Sequence, residues 1–131
     1  MGLSVLLDTP VLLWAFASPD RLSPPARTLL EDPRTDALVS AASAWEIATT
    51  YRLGKLPGAE RIVMGYTAHL ITLRARELPI VSTHALAAGL FAVEHRDPFD
   101  RMLTAQAIAE GVPLVTTDPL MALFPGLVTR W

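Results

Sequence analysis

Short apolar runs, each followed within a few residues by a capping side chain or a proline, recur along this chain and leave few folds open to it. Residues 3–7 form a near-continuous apolar run, which suits a strand buried on both faces of a parallel sheet. Asp8, Thr9 and Pro10 follow as a helix start, a capping side chain with proline in the first turn, and the apolar pattern continues through residues 11–16. Residues 18–20 end that helix, and Ser23-Pro24-Pro25 opens another that reaches residue 30. Residues 37–40 predict a second strand. Ser43 and Glu46 have capping-box spacing, which predicts a helix from there to about residue 52. A longer helix is expected over residues 60–76, where Ile62, Tyr66, Leu70 and Leu73 recur at helical spacing. A short strand follows at residues 78–81 and a helix capped by Ser82 reaches residue 93. Asp97-Pro98 starts a helix over residues 99–109, which Gly111 stops. Residues 112–115 read as a strand, Asp118-Pro119 as another helix start, and residues 127–130 as a last edge strand. This alternation predicts a three-layer α/β/α domain with a mainly parallel central sheet, occupying residues 1–131 as one unit.

Composition narrows the classes. At 131 residues, 51% of them apolar and with a mean hydropathy of +0.36, the chain carries more apolar material than one small domain hides, so an apolar patch for a partner chain is expected. The apolar runs stop short of the roughly 20 residues a membrane helix needs. Absence of cysteine excludes disulfides and thiolate metal sites and fits a cytoplasmic address. One lysine, ten arginines and a net charge of −2 are not the balance of a protein that holds nucleic acid by bulk electrostatics.

The chemistry-bearing pattern is acidic. Asp8, Glu46, Asp100 and Asp118 each stand where a strand-like segment gives way to a helix-like one. Such junctions collect along one edge of a parallel sheet, outside the carboxyl ends of the strands. Taken singly, each acid has a sound explanation as a helix cap or first-turn charge. Taken together they would repel, by roughly 4 kcal/mol for a pair 4 Å apart at an effective dielectric near 20. A divalent cation relieves that cost. All-oxygen donors with no cysteine indicate Mg²⁺, with Mn²⁺ able to substitute, rather than zinc. The expectation is a metal-dependent phosphoryl-transfer enzyme of nuclease type.

Four segments, Leu6 to Trp14 (LLDTPVLLW), Ser43 to Ala48 (SAWEIA), His95 to Leu103 (HRDPFDRML) and Val115 to Asp118 (VTTD), resemble in order and spacing the PIN-domain toxins of VapC type. The resemblance implies a Mg²⁺-dependent endoribonuclease, the toxin of a type II toxin–antitoxin pair. It further implies inhibition by a VapB-like antitoxin, a homodimer, and hydrolysis of RNA phosphodiesters by a metal-activated water. The family's acidic quartet falls on Asp8, Glu46, Asp100 and Asp118, with Asp97 as an additional ligand candidate. Thr9, Thr117 and Arg101 adjoin these acids and are candidates for contacting substrate. Pro10 stands where relatives often carry histidine. His95 is expected as a loop residue, and Trp14 and Trp45 as packing residues in the core or at an interface, with a stacking platform for a base as the alternative. The alternatives are a PIN-like nuclease of RNA processing or of DNA, and an inactive PIN fold used for binding. A receiver-like phosphorylation domain wants a lysine after a late strand, and Lys55 is misplaced for it.

Overall fold

β1 (Ser4–Leu7) shows why this chain makes a layered sheet: alternate side chains, Val5 and Leu7 against Leu6, enter two separate apolar cores, and all three are fully buried. β2 (Asp36–Ser40) does the same with Val39 and Leu38, and β4 (Leu114–Val115) with Val115 and Leu114. A computed structural model describes residues 2–131. Its five strands run in the order β3-β2-β1-β4-β5, every pairing parallel, with β3 (Ala75–Leu78) and β5 (Thr129–Arg130) at the edges. Both faces are covered by helices, as a sheet apolar on both sides requires.

On one face α1 (Thr9–Ala17), α2 (Pro24–Glu31), α3 (Ala41–Arg52) and α5 (Tyr66–Leu73) contribute Val11, Leu12, Ala26, Ile47 and Leu70 to the core. On the other, α7 (Pro98–Glu110) supplies Leu103 and Ala107, joined by Met121 and Phe124 from the segment after β4. α4 (Glu60–Met64) and α6 (Ser82–Leu90) complete the helices of the described residues. The sheet order reverses at β1, so the crevice beside the β1 and β4 carboxyl ends is where an open α/β sheet places its ligands. Asp8 N donates to Val115 O at 3.1 Å, which fixes those two strand ends side by side.

Several local expectations give way, among them the helix expected from a Ser82 cap to residue 93, which ends at Leu90 and takes Ser82 as its first residue rather than its cap. The helix over residues 60–76 is two short helices broken at Gly65, and α5 ends at Arg74, which adopts the left-handed conformation (φ 59°) and turns the chain straight into β3. The third strand is consequently at Ala75–Leu78 rather than residues 78–81, since Pro79 has no N–H to give the ladder. α3 starts at Ala41, directly after β2, with Ser40 Oγ accepting from Ala42 N at 3.0 Å. Ser43 is therefore inside the helix, not its cap. No helix among the described residues is long and apolar enough to cross a membrane.

Candidate functional site

Asp8 leaves β1 and begins α1, its Oδ1 accepting from Val11 N at 2.9 Å. Only 6% of the residue is exposed, and burial pushes its pKa up to about 6. The Thr116 hydroxyl and the Val11 amide pull it back; the charges of Asp100 and Asp118 raise it further. Thr116, buried just beyond β4, also accepts from Asp118 N at 3.1 Å. Asp118 in turn accepts from Leu120 N at 2.9 Å and starts the 3-10 turn Pro119–Leu123. Thr117, expected as the threonine beside the acids, is exposed, and Thr116 takes that place. The strand pleat decides between them, and the Thr116-Thr117-Asp118 sequence alone does not show where β4 ends.

Glu46 lies in the second turn of α3, past the positions where a carboxylate serves the helix start. The capping-box explanation for it therefore fails, and its half-buried position calls for another. Burial raises its pKa first, followed by the charges of Asp97, Asp100 and Asp8, while the Thr9 hydroxyl beside it acts in the opposite direction. Thr9, itself buried, donates to Ser43 Oγ at 3.0 Å, so the start of α1 is tied to α3 next to Glu46.

α7 brings the remaining acids. Asp97 is its cap, Oδ1 accepting from Phe99 N at 2.9 Å and Asp100 N at 3.3 Å, and it is exposed. Asp100 is at the third helical position and half-buried. Its pKa is raised mainly by burial and further by Asp97 and Asp118, against the lowering effect of His95. His95 Nε2 lies 2.7 Å from Asp100 Oδ2, and its ring packs on Phe124 with centroids 5.4 Å apart. It is a loop residue, as expected, and one that contacts an acid of the site. The signal available was its place five residues before Asp100, ahead of an Asp-Pro cap that turns the chain back on itself.

Arg101 also departs from expectation. Its guanidinium donates to the carbonyls of Ala88 (2.8 Å), Val93 (2.8 Å), His95 (2.9 Å), Phe91 (2.7 Å) and Gly89 (3.4 Å). Those bonds leave little for a phosphate. They hold an irregular segment whose carbonyls have no ladder to join, and through the His95 carbonyl they hold the imidazole on Asp100.

The acids are thus mutually coupled through space: Asp8 with Asp100 and Asp118, Glu46 with Asp97, Asp100 and Asp8. Among the described residues no three acidic or histidine side chains close into a finished metal cage. The donor set nonetheless fits a hard divalent cation. It is oxygen-rich, and the three carboxylates Asp8, Glu46 and Asp100 are held toward protonation by burial and by one another, which is the strain a cation removes.

A PIN-domain family model matches residues 5–125. The chain is 34% identical over 135 residues to Ribonuclease VapC22 of Mycobacterium tuberculosis (strain ATCC 25618 / H37Rv), covering 98% of both chains. A shorter likeness, 62% over 34 residues, links it to Ribonuclease VapC16 of the same organism, spanning 26% of this chain and 24% of that one. Among solved structures, the fold is similar to a chain of VapBC2 from Rickettsia felis bound to a promoter DNA fragment (TM-score 0.73, 18% identity, 98% of each chain). It is also similar to a chain of a toxin-antitoxin complex from Klebsiella pneumoniae (TM-score 0.63, 20% identity, 97% and 98% covered).

Proposed function

The chain belongs to the PIN-domain family, in its VapC type, and from that premise we propose that it is a divalent-metal-dependent endoribonuclease, the toxin of a toxin–antitoxin pair. The observation that carries the proposal is the coupled set Asp8, Glu46, Asp100 and Asp118 at the carboxyl edge of β1 and β4, three of whose members are held toward protonation by burial and by each other.

Asp8 and Asp100 are assigned as the direct ligands of Mg²⁺ or Mn²⁺, with Glu46 and Asp118 acting directly or through water and Asp97 at the periphery. When bound, the metal supplies Lewis-acid activation of water and offsets charge on the phosphoryl oxygens. The chain's own groups set the stage. Thr116 and the Val11 amide orient Asp8, Thr9 ties the start of α1 to α3 beside Glu46 through Ser43, and His95 holds one oxygen of Asp100. Thr9 and Thr116 are placed to steer a water or a phosphate oxygen, a role the sequence had given to Thr9 and Thr117.

A VapB-like antitoxin is the proposed inhibitory partner in a cytoplasmic setting, and self-association is supported by apolar side chains left in water on α4, α5 and α6. Purified protein freed of its partner is expected to cleave RNA in Mg²⁺ or Mn²⁺, to stop in EDTA, and to lose cleavage in Asp100→Asn. Cleavage that continues in EDTA would overturn the metal assignment, and an active Asp100→Asn would remove that residue from the site.

A further inference from the structure

Trp45 immediately precedes Glu46 on α3, yet it is 64% exposed. It is therefore not a core residue, which leaves the interface and base-stacking readings of it. It meets Phe99, which immediately precedes Asp100 on α7, edge to face with centroids 4.9 Å apart at 73°. The two rings thus bridge the two helices whose next residues are acids of the site. An edge-to-face partner fixes the indole while leaving one of its faces free.

The charge balance indicates what such a face would take. A cluster of carboxylates in a protein of net charge −2 repels a polyanion. Arg101, the cation next to Asp100, has its donors turned onto backbone carbonyls. Exposed Arg96 adds one positive charge to the same loop. The divalent cation proposed above would offset that repulsion at the scissile phosphate itself, and a contact that does not depend on charge would hold the adjoining nucleotide. Stacking of an unpaired base on an aromatic ring is such a contact, and a base inside a duplex cannot make it.

We propose that Trp45, pinned by Phe99, is the platform on which an unpaired base adjoining the scissile phosphate stacks, which makes it a substrate-positioning residue of this site. The inference rests on the ribonuclease reading above and names a residue that positions its substrate.

The test compares wild type, Trp45→Leu and Trp45→Phe on a pool of single-stranded oligoribonucleotides of randomised sequence and on defined duplexes. Leucine keeps apolar bulk over Phe99 without an aromatic face, so a purely structural role survives Trp45→Leu and a stacking role does not. Expected are a KM raised about ten-fold or more by Trp45→Leu, a kcat within two-fold of wild type, substantial recovery in Trp45→Phe, and poor cleavage of duplex. In an Asp100→Asn background, RNA should quench tryptophan fluorescence, and Trp45→Leu should lose that quenching although Trp14 and Trp131 remain. The Mn²⁺-induced rise in Tm should be the same with and without Trp45, which separates the platform from the metal site. An unchanged KM in Trp45→Leu, or duplex cleaved as well as single strands, overturns the platform and assigns the exposed ring to a protein partner. A wild type that cleaves no RNA with either metal overturns the ribonuclease reading and the platform with it, whereas cleavage indifferent to Trp45 removes the platform alone.

Discussion

The Asp8 carboxylate accepts the Val11 amide as a helix cap should, but it does so 6% exposed and near two further acids, which moves its pKa from an ordinary 3.8 to about 6. In the unfolded chain the group ionises near the lower value. Between the two values the folded protein binds the extra proton, so stability falls as pH rises through this window and the loss is complete above about pH 6. The shift corresponds to about 3 kcal/mol. Asn caps a helix as well as Asp and carries no charge. Asp8→Asn is therefore expected to be more stable than wild type by about 2–3 kcal/mol at pH 7, to show little gain at pH 4, and to be inactive. Urea denaturation at the two pH values checks the sign; a variant destabilised at pH 7 would mean that the ionised carboxylate is not under strain. The conflict between capping and charge was legible from the Asp8-Thr9-Pro10 sequence only in its capping half. Burial, which supplies the other half, depends on β4 coming to lie beside β1.

Helix starts at Asp8, Ser23, Asp97 and Asp118 could be read from sequence because proline and a capping oxygen act locally. β3 could not, because an edge strand needs no apolar run. Arg76 and Glu77 are exposed there, and Arg76 pairs with Asp36 at 2.9 Å across to β2. The start of α3 was misplaced for a similar reason: two plausible cap serines lie three residues apart, and only the end of the β2 ladder selects Ser40. The segment between α6 and α7 was equally opaque, since the Arg101 side chain that orders it belongs to the following helix. Arg101→Lys keeps the charge and loses the planar fork. Losing it should cost on the order of 2 kcal/mol locally. Amide exchange in residues 91–97 should then speed up about 30-fold while β1 and β2 keep their protection, and kcat/KM should fall because His95 no longer holds Asp100. Unchanged exchange would show that Phe91 and Phe124, whose rings meet at 5.3 Å, order the segment without it.

Across the whole molecule, the apolar surplus visible in the composition emerges on consecutive elements around the β3 edge. Met64 is 80% exposed, Ile71 71%, and Leu86 and Leu90 on α6 lie similarly in water. Large side chains left out of both cores mark a surface for another chain. Sedimentation should show a dimer at micromolar concentration, and Ile71→Glu or Leu90→Glu should yield a monomer with an unchanged far-ultraviolet spectrum; dimers persisting in both variants would place the interface elsewhere.

β1 pairs with β2 early in the sequence, Leu6 opposite Leu38, but its other neighbour is β4, with Leu6 opposite Leu114. Asp8 and Asp118 thus meet only through a pairing that spans most of the chain. During synthesis the amino-terminal strands and helices leave the ribosome first, at about 5–20 residues per second. A nascent chain that already carries Asp8, Glu46 and Asp100 still lacks the strand that buries the first of them and aligns the last acid. The acidic site is therefore completed only after β4 has been made, and until β4 docks, the growing polypeptide carries its parts unassembled.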